Sequence, residues 1–424
     1  MPRVVIIGSG LVGAATALAL HRVGIESTLY DQVDPVEVVM KGEVIEFGET
    51  GGSVMIQDGG LRVSKCIANG AIVRCISWSK IDGSYPIVSD SRISAKSAND
   101  SELELHPPLQ ILRSTLHSIL IKACHKAGIK TLIDKKLVDI KQDEMTVTAS
   151  FADGSTATGD LLIGADGIHS ATRRKAFGDE LKAKFAGSTG HVGVTNIKEH
   201  GIVLKEAEEC AFYTDRENKR TVSVFKVSQD IVAVNVSTFG DTEDYDTSAF
   251  YRPSTDLPKD ASQLADLLTT WGAPQHVANM VRHSFRLSTY SVYDLPNLEN
   301  YHKGRVILIG DAAHGMVPNA GIGLLTGLED VGTLLALFKH FKQEDWNTAF
   351  RLYSKSRVAR GVAASEQSRS MREKGLAVSP IFGGSLNHFI FRLVIAASNA
   401  GFFTLYQVFD CEAEVAKLIQ EERE

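Results

Sequence analysis

The sequence predicts an α/β fold: a Rossmann-like nucleotide-binding domain assembled from separated segments, a β-rich domain inserted between them, and helices at the C-terminal end. Three observations predict it. The apolar runs VVIIG, LLIGAD and VILIGD each lead into a glycine turn, the form of a buried parallel strand that delivers the chain to a ligand-binding edge. The first run is followed by a helical stretch and a second strand, which makes a βαβ unit. Between the second and third runs, residues 176–290 change to alternating and β-branched segments, the pattern of a mostly antiparallel sheet.

The elements follow in order. VVIIG is the first strand, LVGAATALALHRVG a helix of small residues ending at Gly24, and STLYD the second strand. Residues 55–75 predict a turn followed by a helix. Residues 109–127 predict an amphipathic helix with Ile111, Leu112, Leu116, Ile119, Leu120 and Ala123 on one side. KKLVDIKQ, EMTVTASF and STATGDLLIGAD form a meander leading into a buried strand. VGVTNI, CAFYTD, RTVSVFKV and IVAVNVSTF are the strands of the inserted sheet, and RVILIGD returns to the first domain before helices at 323–341 and about 346–371. The expected division is therefore 1–75, 105–175 and 285–370 for the nucleotide-binding domain, 76–104 and 176–284 for the substrate-binding sheet, and 371–424 for a C-terminal helical segment.

Composition narrows the function. The 424 residues suffice for two or three domains, and 44% apolar with 23% charged residues are globular values. A net charge of −6 argues against nucleic acid as a partner. Five scattered cysteines with no C-x-x-C point to a reducing compartment, hence a cytoplasmic location, and to no metal site. The apolar stretch 389–409 contains Arg392, Asn399, Gly401 and Gln407, which suits a packed closing helix or loop better than stable membrane insertion.

Three motifs carry the chemistry. In GSGLVG (Gly8, Gly10, Leu11, Val12, Gly13) the first glycine permits a tight turn, the second lets a pyrophosphate reach the backbone, and the third lets helix and strand pack closely. The helix N-terminus offers N–H groups and positive potential to the phosphates, and Asp31 at the end of the second strand can accept both ribose hydroxyls of an adenosine. GADGIHSATRR (164–174) follows a buried strand, and taken alone it is equally a surface turn with Arg173 and Arg174 on a solvated face. GDAAH (310–314) places Asp311 at the C-terminal end of a buried strand, where α/β sheets bind ligands, although an acid there also serves as a helix cap. Pro318 stiffens the loop beyond it. Gly321 and Gly323 let bare N–H groups face a flat ligand at a helix start.

Together these motifs resemble the FAD-dependent aromatic hydroxylases, the single-component flavoprotein monooxygenases related to p-hydroxybenzoate and salicylate hydroxylase. The resemblance implies an FAD-binding domain of the GR2 type holding FAD without a covalent link. By it, GSGLVG and Asp31 bind the ADP half, Arg113 in LQILRSTL reaches the pyrophosphate and ribityl region, and Asp166 serves FAD and the reducing nicotinamide. Asp311 bonds the ribityl chain, and Pro318 with Gly321, Ile322, Gly323 and Leu324 faces the flavin ring. The sequence departs from the family in reading Gly-Ile-Gly-Leu-Leu for a frequent Gly-Gln-Gly-Leu-Asn, Gly315 for a frequent proline, and Gln57-Asp58 for a frequent Pro-Asn. Backbone contacts survive those changes and side-chain contacts do not.

The same resemblance implies NADPH or NADH as a transient reductant, O2 as co-substrate, and transfer of oxygen from a C4a-hydroperoxyflavin to a small aromatic or isoprenoid-aromatic molecule. The reaction expected is hydroxylation of a phenolic ring, with decarboxylation as one form. Epoxidation of an isoprenoid double bond, or reduction without oxygen insertion, are the alternatives, and a noncatalytic carrier is a third. A phenolic substrate gains from a base or phenolate-stabilising group. Tyr213 and Tyr293 are the catalytic candidates, with Tyr290, His191 and His283 as further options. His314 reads as a loop-holding residue, and the cluster Arg351, Lys355, Arg357 and Arg360 as a solvated or interdomain face.

Overall fold

The computed structural model describes residues 2–33, 53–56, 70–91, 108–240, 251–376, 383–400 and 409–423. Its central parallel sheet contains β1 (Arg3–Ile7), β2 (Glu26–Tyr30), β8 (Lys130–Leu132), β12 (Leu161–Gly164), β20 (Val306–Leu308) and the antiparallel edge strand β19 (His302–Lys303). The spatial order is β19-β20-β12-β1-β2-β8. β1 thus lies between β12 and β2, and the chain leaves it in opposite senses on its two sides. That switch point opens a crevice at the carboxyl end of β1, where Gly8 stands. Val4–Ile7, Leu161–Ile163 and Val306–Leu308 are all buried, which is why these strands read as continuous apolar runs.

Helices cover this sheet. α1 (Leu11–Arg22) is buried on several sides, and its alanines let it approach the sheet and the long helix α7 (Gly323–His340) closely. α2 (Arg113–Lys126) packs beside α1. The meander β9 (Leu137–Gln142), β10 (Val147–Phe151) and β11 (Thr156–Gly159) forms its own antiparallel sheet, followed after β12 by α3 (Ala171–Phe177). The short α6 (Asp311–His314) follows β20, and α8 (Trp346–Leu376) and α10 (Cys411–Arg423) pack behind α7.

A larger sheet holds β5 (Cys75–Lys80), β6 (Ile87–Asp90), β13 (Lys184–Asn196), β14 (Cys210–Asp215), β15 (Arg220–Lys226), β16 (Ile231–Phe239), β17 (Tyr251–Pro253) and β18 (Arg286–Asp294), in the order β17-β18-β13-β16-β15-β14-β5-β6. β18 therefore extends this sheet past the boundary expected at 284. One face, here called outer, is covered by α4 (Leu257–Thr270) and α5 (Gln275–Arg282). There Ala261, Leu264, Leu268, Val277 and Met280 bury Val222, Val224, Val232, Val234 and Val236. The alternation of strand side chains sends the neighbouring residues to the opposite, inner face.

Between the two sheets lies a third, β3 (Ser53–Ile56), β7 (Leu109–Leu112) and β4 (Ala71–Ile72), in the order β3-β7-β4. Ile56, Leu109 and Ile111 pack on Leu11 and Leu324, beside the glycine loops. Met55 points the other way, into a cluster with Cys210, Phe212 and Phe225 of the large sheet. The inner face of the large sheet is thus turned toward the loops of the nucleotide-binding half.

Two expectations change here. LQIL (109–112) is strand β7 and the helix begins at Arg113; apolar positions that fit a helical period also fit a strand, and pairing with β3 and β4 decided it. The helix expected within 55–75 falls largely on 57–69, outside the described residues, while 55–56 and 71–72 are strand. The apolar stretch at 389 lies in α9 (Gly383–Asn399). It buries Ile395 and sets Phe391 edge-on to Trp78 at 5.2 Å, but Phe389, Ile390 and Leu393 remain exposed, so the helix is only half packed. Among the described residues no helix is long and apolar enough to cross a membrane.

Candidate functional site

The three glycines of GSGLVG are required for different reasons. Gly8 has φ +98°, and a β-carbon there would stand 2.5 Å from the Ala165 carbonyl oxygen. At Gly13 it would stand 2.1 Å from the Gly8 oxygen. Both glycines are therefore fixed by the protein's own packing. Gly10 is different: its φ is an ordinary −62°, and a β-carbon there meets nothing within 4 Å. Nothing among the described residues explains its missing side chain, whereas a phosphate seated on the backbone would. Gly10 also opens α1, whose first turn has neither a side-chain cap nor an acid, so its N–H groups and dipole are free to hold an anion.

The loop is held rigidly. Ser9 donates to Asp31 Oδ2 from its backbone nitrogen at 2.6 Å and from its hydroxyl at 2.7 Å, and Val33 N–H reaches Oδ1 at 3.0 Å. A carboxylate has about four lone-pair sites. With three engaged, about one remains open to a ribose hydroxyl, where the sequence suggested two. On α2, His117 Nε2 lies 2.7 Å from Ser9 O. Arg113 stands one turn earlier on the same face, which places it beside the glycine loop.

Asp166 does not face outward. Its carboxylate accepts Ser170 Oγ–H at 2.5 Å, Thr172 N–H at 2.9 Å and Thr172 Oγ1–H at 3.0 Å. Burial pushes its pKa up, and these bonds oppose the rise. The side chain shapes the Asp-Gly turn at the start of α3. The turn's backbone is what meets the first motif, since Asp166 Cα would lie 2.9 Å from a β-carbon on Gly8.

Arg173 is buried, not solvated. It donates to Leu181 O at 2.9 Å, to Ala312 O at 3.3 Å and Ala313 O at 2.7 Å, and to Pro296 O. Burial lowers its pKa to about 10. It therefore ties the second motif to the third.

In the third motif, Gly310 has φ +57° and packs on Val12, and Gly327 of α7 does the same, so α1 and α7 cross at Val12. Asp330 of α7 grips both ends of the GDAAH turn: Oδ2 accepts Gly310 N–H at 2.8 Å and lies 2.7 Å from His314 Nε2. Arg357 Nε donates to Asp330 Oδ1 at 2.7 Å, and its Nη2 reaches Glu329 at 3.0 Å and Thr326 O at 3.1 Å. All of these side chains are buried. Burial alone would pull the Arg357 pKa down, but Asp330 and Glu329 more than offset it. Arg351 and Lys355 do lie at the surface, paired with Glu422 and Glu421 of α10, and Arg360 pairs with Glu329. The expected solvated face is thus half core. Sequence reasoning missed Asp330, Arg173 and Arg357. The one available signal was Glu329-Asp330 inside an otherwise apolar helix, a pair of acids that needs buried cations.

Asp311, by contrast, is exposed, and no hydrogen bond or ion pair holds its carboxylate among the described residues. A β-carbon on Gly323 would lie 3.9 Å from its Oδ1, so the acid stands beside the N-terminus of α7. That terminus is also uncapped and free of acids. Pro318 starts a short turn closed by Gly321 N–H on Pro318 O at 2.9 Å, and Ser368 of α8 bonds Val317 O and Ala320 N–H. Gly321 is left-handed at φ +66° with open space on its side-chain position. Ile322 O is already taken by Thr326, and Leu324 packs on Leu11, Ile56 and Leu109, so this segment offers a ligand its backbone N–H groups.

The aromatic candidates separate. Tyr213 lies on the outer face, buried among Val222 and the α4–α5 helices beside Pro274, away from the glycine loops. Burial and then Glu208 push its hydroxyl up to about 12. Strand alternation, which the sequence does not phase, decided this, and Tyr213 is corrected to a packing residue. Tyr293 is buried edge-on to His169 of the Asp-Gly turn at 4.6 Å and to Phe185 at 6.0 Å, at the seam of sheet and motif. His191 bonds Thr289 on the outer face, and His283 stacks on His200 at 4.1 Å.

Two uncapped helix starts at one switch point, each with a glycine whose side-chain position is open, fit a dinucleotide with a flat ring at its far end. That is the arrangement of the FAD-dependent flavoprotein monooxygenases. The chain belongs to the FAD-binding domain family, whose model matches residues 1–368, and FAD is its cofactor. It is similar to the chloroplastic zeaxanthin epoxidase of Oryza sativa subsp. japonica, 28% identical over 380 residues. That match covers 85% of this chain and 53% of the relative, so the chain spans about half of that protein's length. It is also similar to 3-amino-4-hydroxybenzoate 2-monooxygenase PtmB3 of Streptomyces platensis, 26% identical over 377 residues and 88% of each chain. The structure of Klebsiella pneumoniae HpxO complexed with FAD and uric acid shares the fold, with a TM-score of 0.75 over 94% of this chain and 96% of that one at 18% identity.

Proposed function

We propose that this enzyme hydroxylates a small aromatic molecule, taking two electrons from NADH or NADPH, placing one atom of O2 on the ring and releasing the other as water. The observation that carries the reading is the pairing of open glycines, Gly10 and Gly321, with uncapped helix starts on the side toward which the large sheet turns its inner face. When bound, FAD supplies the electron transfer and oxygen activation. The chain's own residues bind and orient it. The first turn of α1 holds the phosphates, with Arg113 beside them and Asp31 taking one ribose hydroxyl. Asp311 accepts a ribityl hydroxyl, and the N–H groups at the start of α7 stabilise negative charge on the ring edge that faces them. The three-stranded sheet and the inner face keep water from the reacting carbon.

The test is oxygen uptake by purified protein with NADH or NADPH, with peroxide measured alongside, against a panel of phenols, aminohydroxybenzoates and purines. An aromatic compound that speeds nicotinamide oxidation, consumes oxygen and yields little peroxide supports the reading. Turnover that returns all oxygen as peroxide with every aromatic, while an isoprenoid alkene couples, favours epoxidation, the activity named for the rice relative.

A further inference from the structure

The register of the large sheet sets Phe212, Ser223, Asn235, Val192 and Ser288 in one cross-strand row on the inner face. The row lies between two unlike neighbours. On one side Phe225 and Cys210 pack against Met55 of the middle sheet. On the other, the Tyr290 ring crosses Gly190, where a β-carbon would lie 2.6 Å from Cζ, and the Tyr290 hydroxyl meets Ser237 Oγ at 2.7 Å. Within the row itself, Phe212 stacks on Trp78 at 6.1 Å and 11°, which fixes the plane of an aromatic wall.

Asn235 is the unexplained member. Its Oδ1 is buried and has no hydrogen-bond partner among the described residues. Ser223 stands directly opposite on β15 and is not bonded to it. A buried acceptor left unmade costs free energy that folding alone does not return. The oxygen sits mid-sheet, on the face turned toward the flavin loops, in a row of hydroxyls, an amide and a phenyl ring. An anion placed against it would meet a carbonyl dipole of the wrong sign. Arg286, the cation of the adjacent row, is directed instead to Ser114 Oγ at 3.4 Å on α2.

We propose that Asn235 anchors the substrate, accepting a hydrogen bond from an N–H or O–H of an uncharged aromatic ring that lies along the Phe212 wall. This rests on the hydroxylase reading and narrows it to neutral, donor-bearing rings.

The experiment is a spectral titration of the FAD-loaded protein, reading the change in flavin absorbance as ligand binds. The probes are 2-naphthol against 2-methoxynaphthalene, and salicylamide against salicylate. Wild type should bind the naphthol about tenfold more tightly than its methyl ether, the span of one satisfied hydrogen bond, and salicylamide more tightly than salicylate. Asn235→Leu should hold FAD, bind the ether as before and lose the preference for naphthol. Asn235→Asp, which keeps an acceptor oxygen, should retain that preference and serves if the leucine variant does not fold. The assignment is overturned by an FAD-loaded Asn235→Leu that still prefers naphthol, by an FAD-loaded Asn235→Asp that does not, by salicylate binding more tightly than salicylamide, or by no probe perturbing the flavin. Wild-type protein unable to hold FAD would instead overturn the hydroxylase reading beneath it.

Discussion

The loops around Gly8–Gly13 and Gly310–Gly323 and the inner face of the large sheet lie on either side of the middle sheet, but they are built from different materials. The loops act through backbone: N–H groups at two helix starts, exposed because glycines stand where side chains would intrude. The sheet acts through side chains at alternate positions of strands far apart in the chain, such as Phe212, Asn235 and Tyr290. Backbone chemistry needs fixed residue spacings. Side-chain chemistry on a sheet needs only a register, which many sequences satisfy.

The largest expected effect probes what holds the backbone half in shape. Arg357→Leu leaves Asp330 buried without its arginine and Glu329 with Arg360 alone, and removing one partner of such a buried pair costs about 3–5 kcal/mol. Urea unfolding should show that loss, and a stability within 0.5 kcal/mol of wild type would mean that the Asp330 grip on Gly310 and His314 is not needed.

Next comes the ligand end of the same half. Asp311→Ala should leave the unfolding midpoint of the FAD-free protein unchanged, because the carboxylate has no partner among the described residues, and should weaken FAD binding by about 1.5–3 kcal/mol, the value of a charged hydrogen bond. Full FAD occupancy in dilute Asp311→Ala protein would contradict the assignment.

The glycines sharpen the contrast within a single motif. Gly8→Ala should cost about 1–3 kcal/mol of stability from the strained backbone alone, with the Ala165 clash added. Gly10→Val should match FAD-free wild type in melting temperature while failing to hold FAD, read by the flavin absorbance retained on gel filtration. Equal loss of stability at both positions would sink the claim that Gly10 is reserved for a ligand.

The smallest effect belongs to the outer face. Tyr213→Phe should change neither FAD content nor turnover and should move stability by less than about 1.5 kcal/mol, the scale of one neutral hydrogen bond. A tenfold fall in turnover would reopen it as a catalytic group.

The same division explains what the sequence could tell. GSGLVG, the Asp-Gly turn and GDAAH were legible because each is a strand, a glycine and a helix start in immediate succession. Their mutual contacts were not, since Arg173 reaches Ala312 and Asp330 reaches His314 only once the sheet order is known. CAFYTD was legible as a strand, but nothing local says whether Phe212 or Tyr213 faces the cofactor side. A shift by one residue exchanges them, and only pairing with Ser223 and Val222 settles it. LQIL failed for a related reason, because its partners lie at 53–56 and 71–72, far from its own helix.

The most direct test of the central claim is a single turnover of the reduced, FAD-loaded protein in isotope-labelled O2, with the aromatic compound that best stimulates nicotinamide oxidation, followed by mass spectrometry of the product. The account predicts one labelled oxygen atom on the ring. An unlabelled product, or label found only in peroxide, would contradict it.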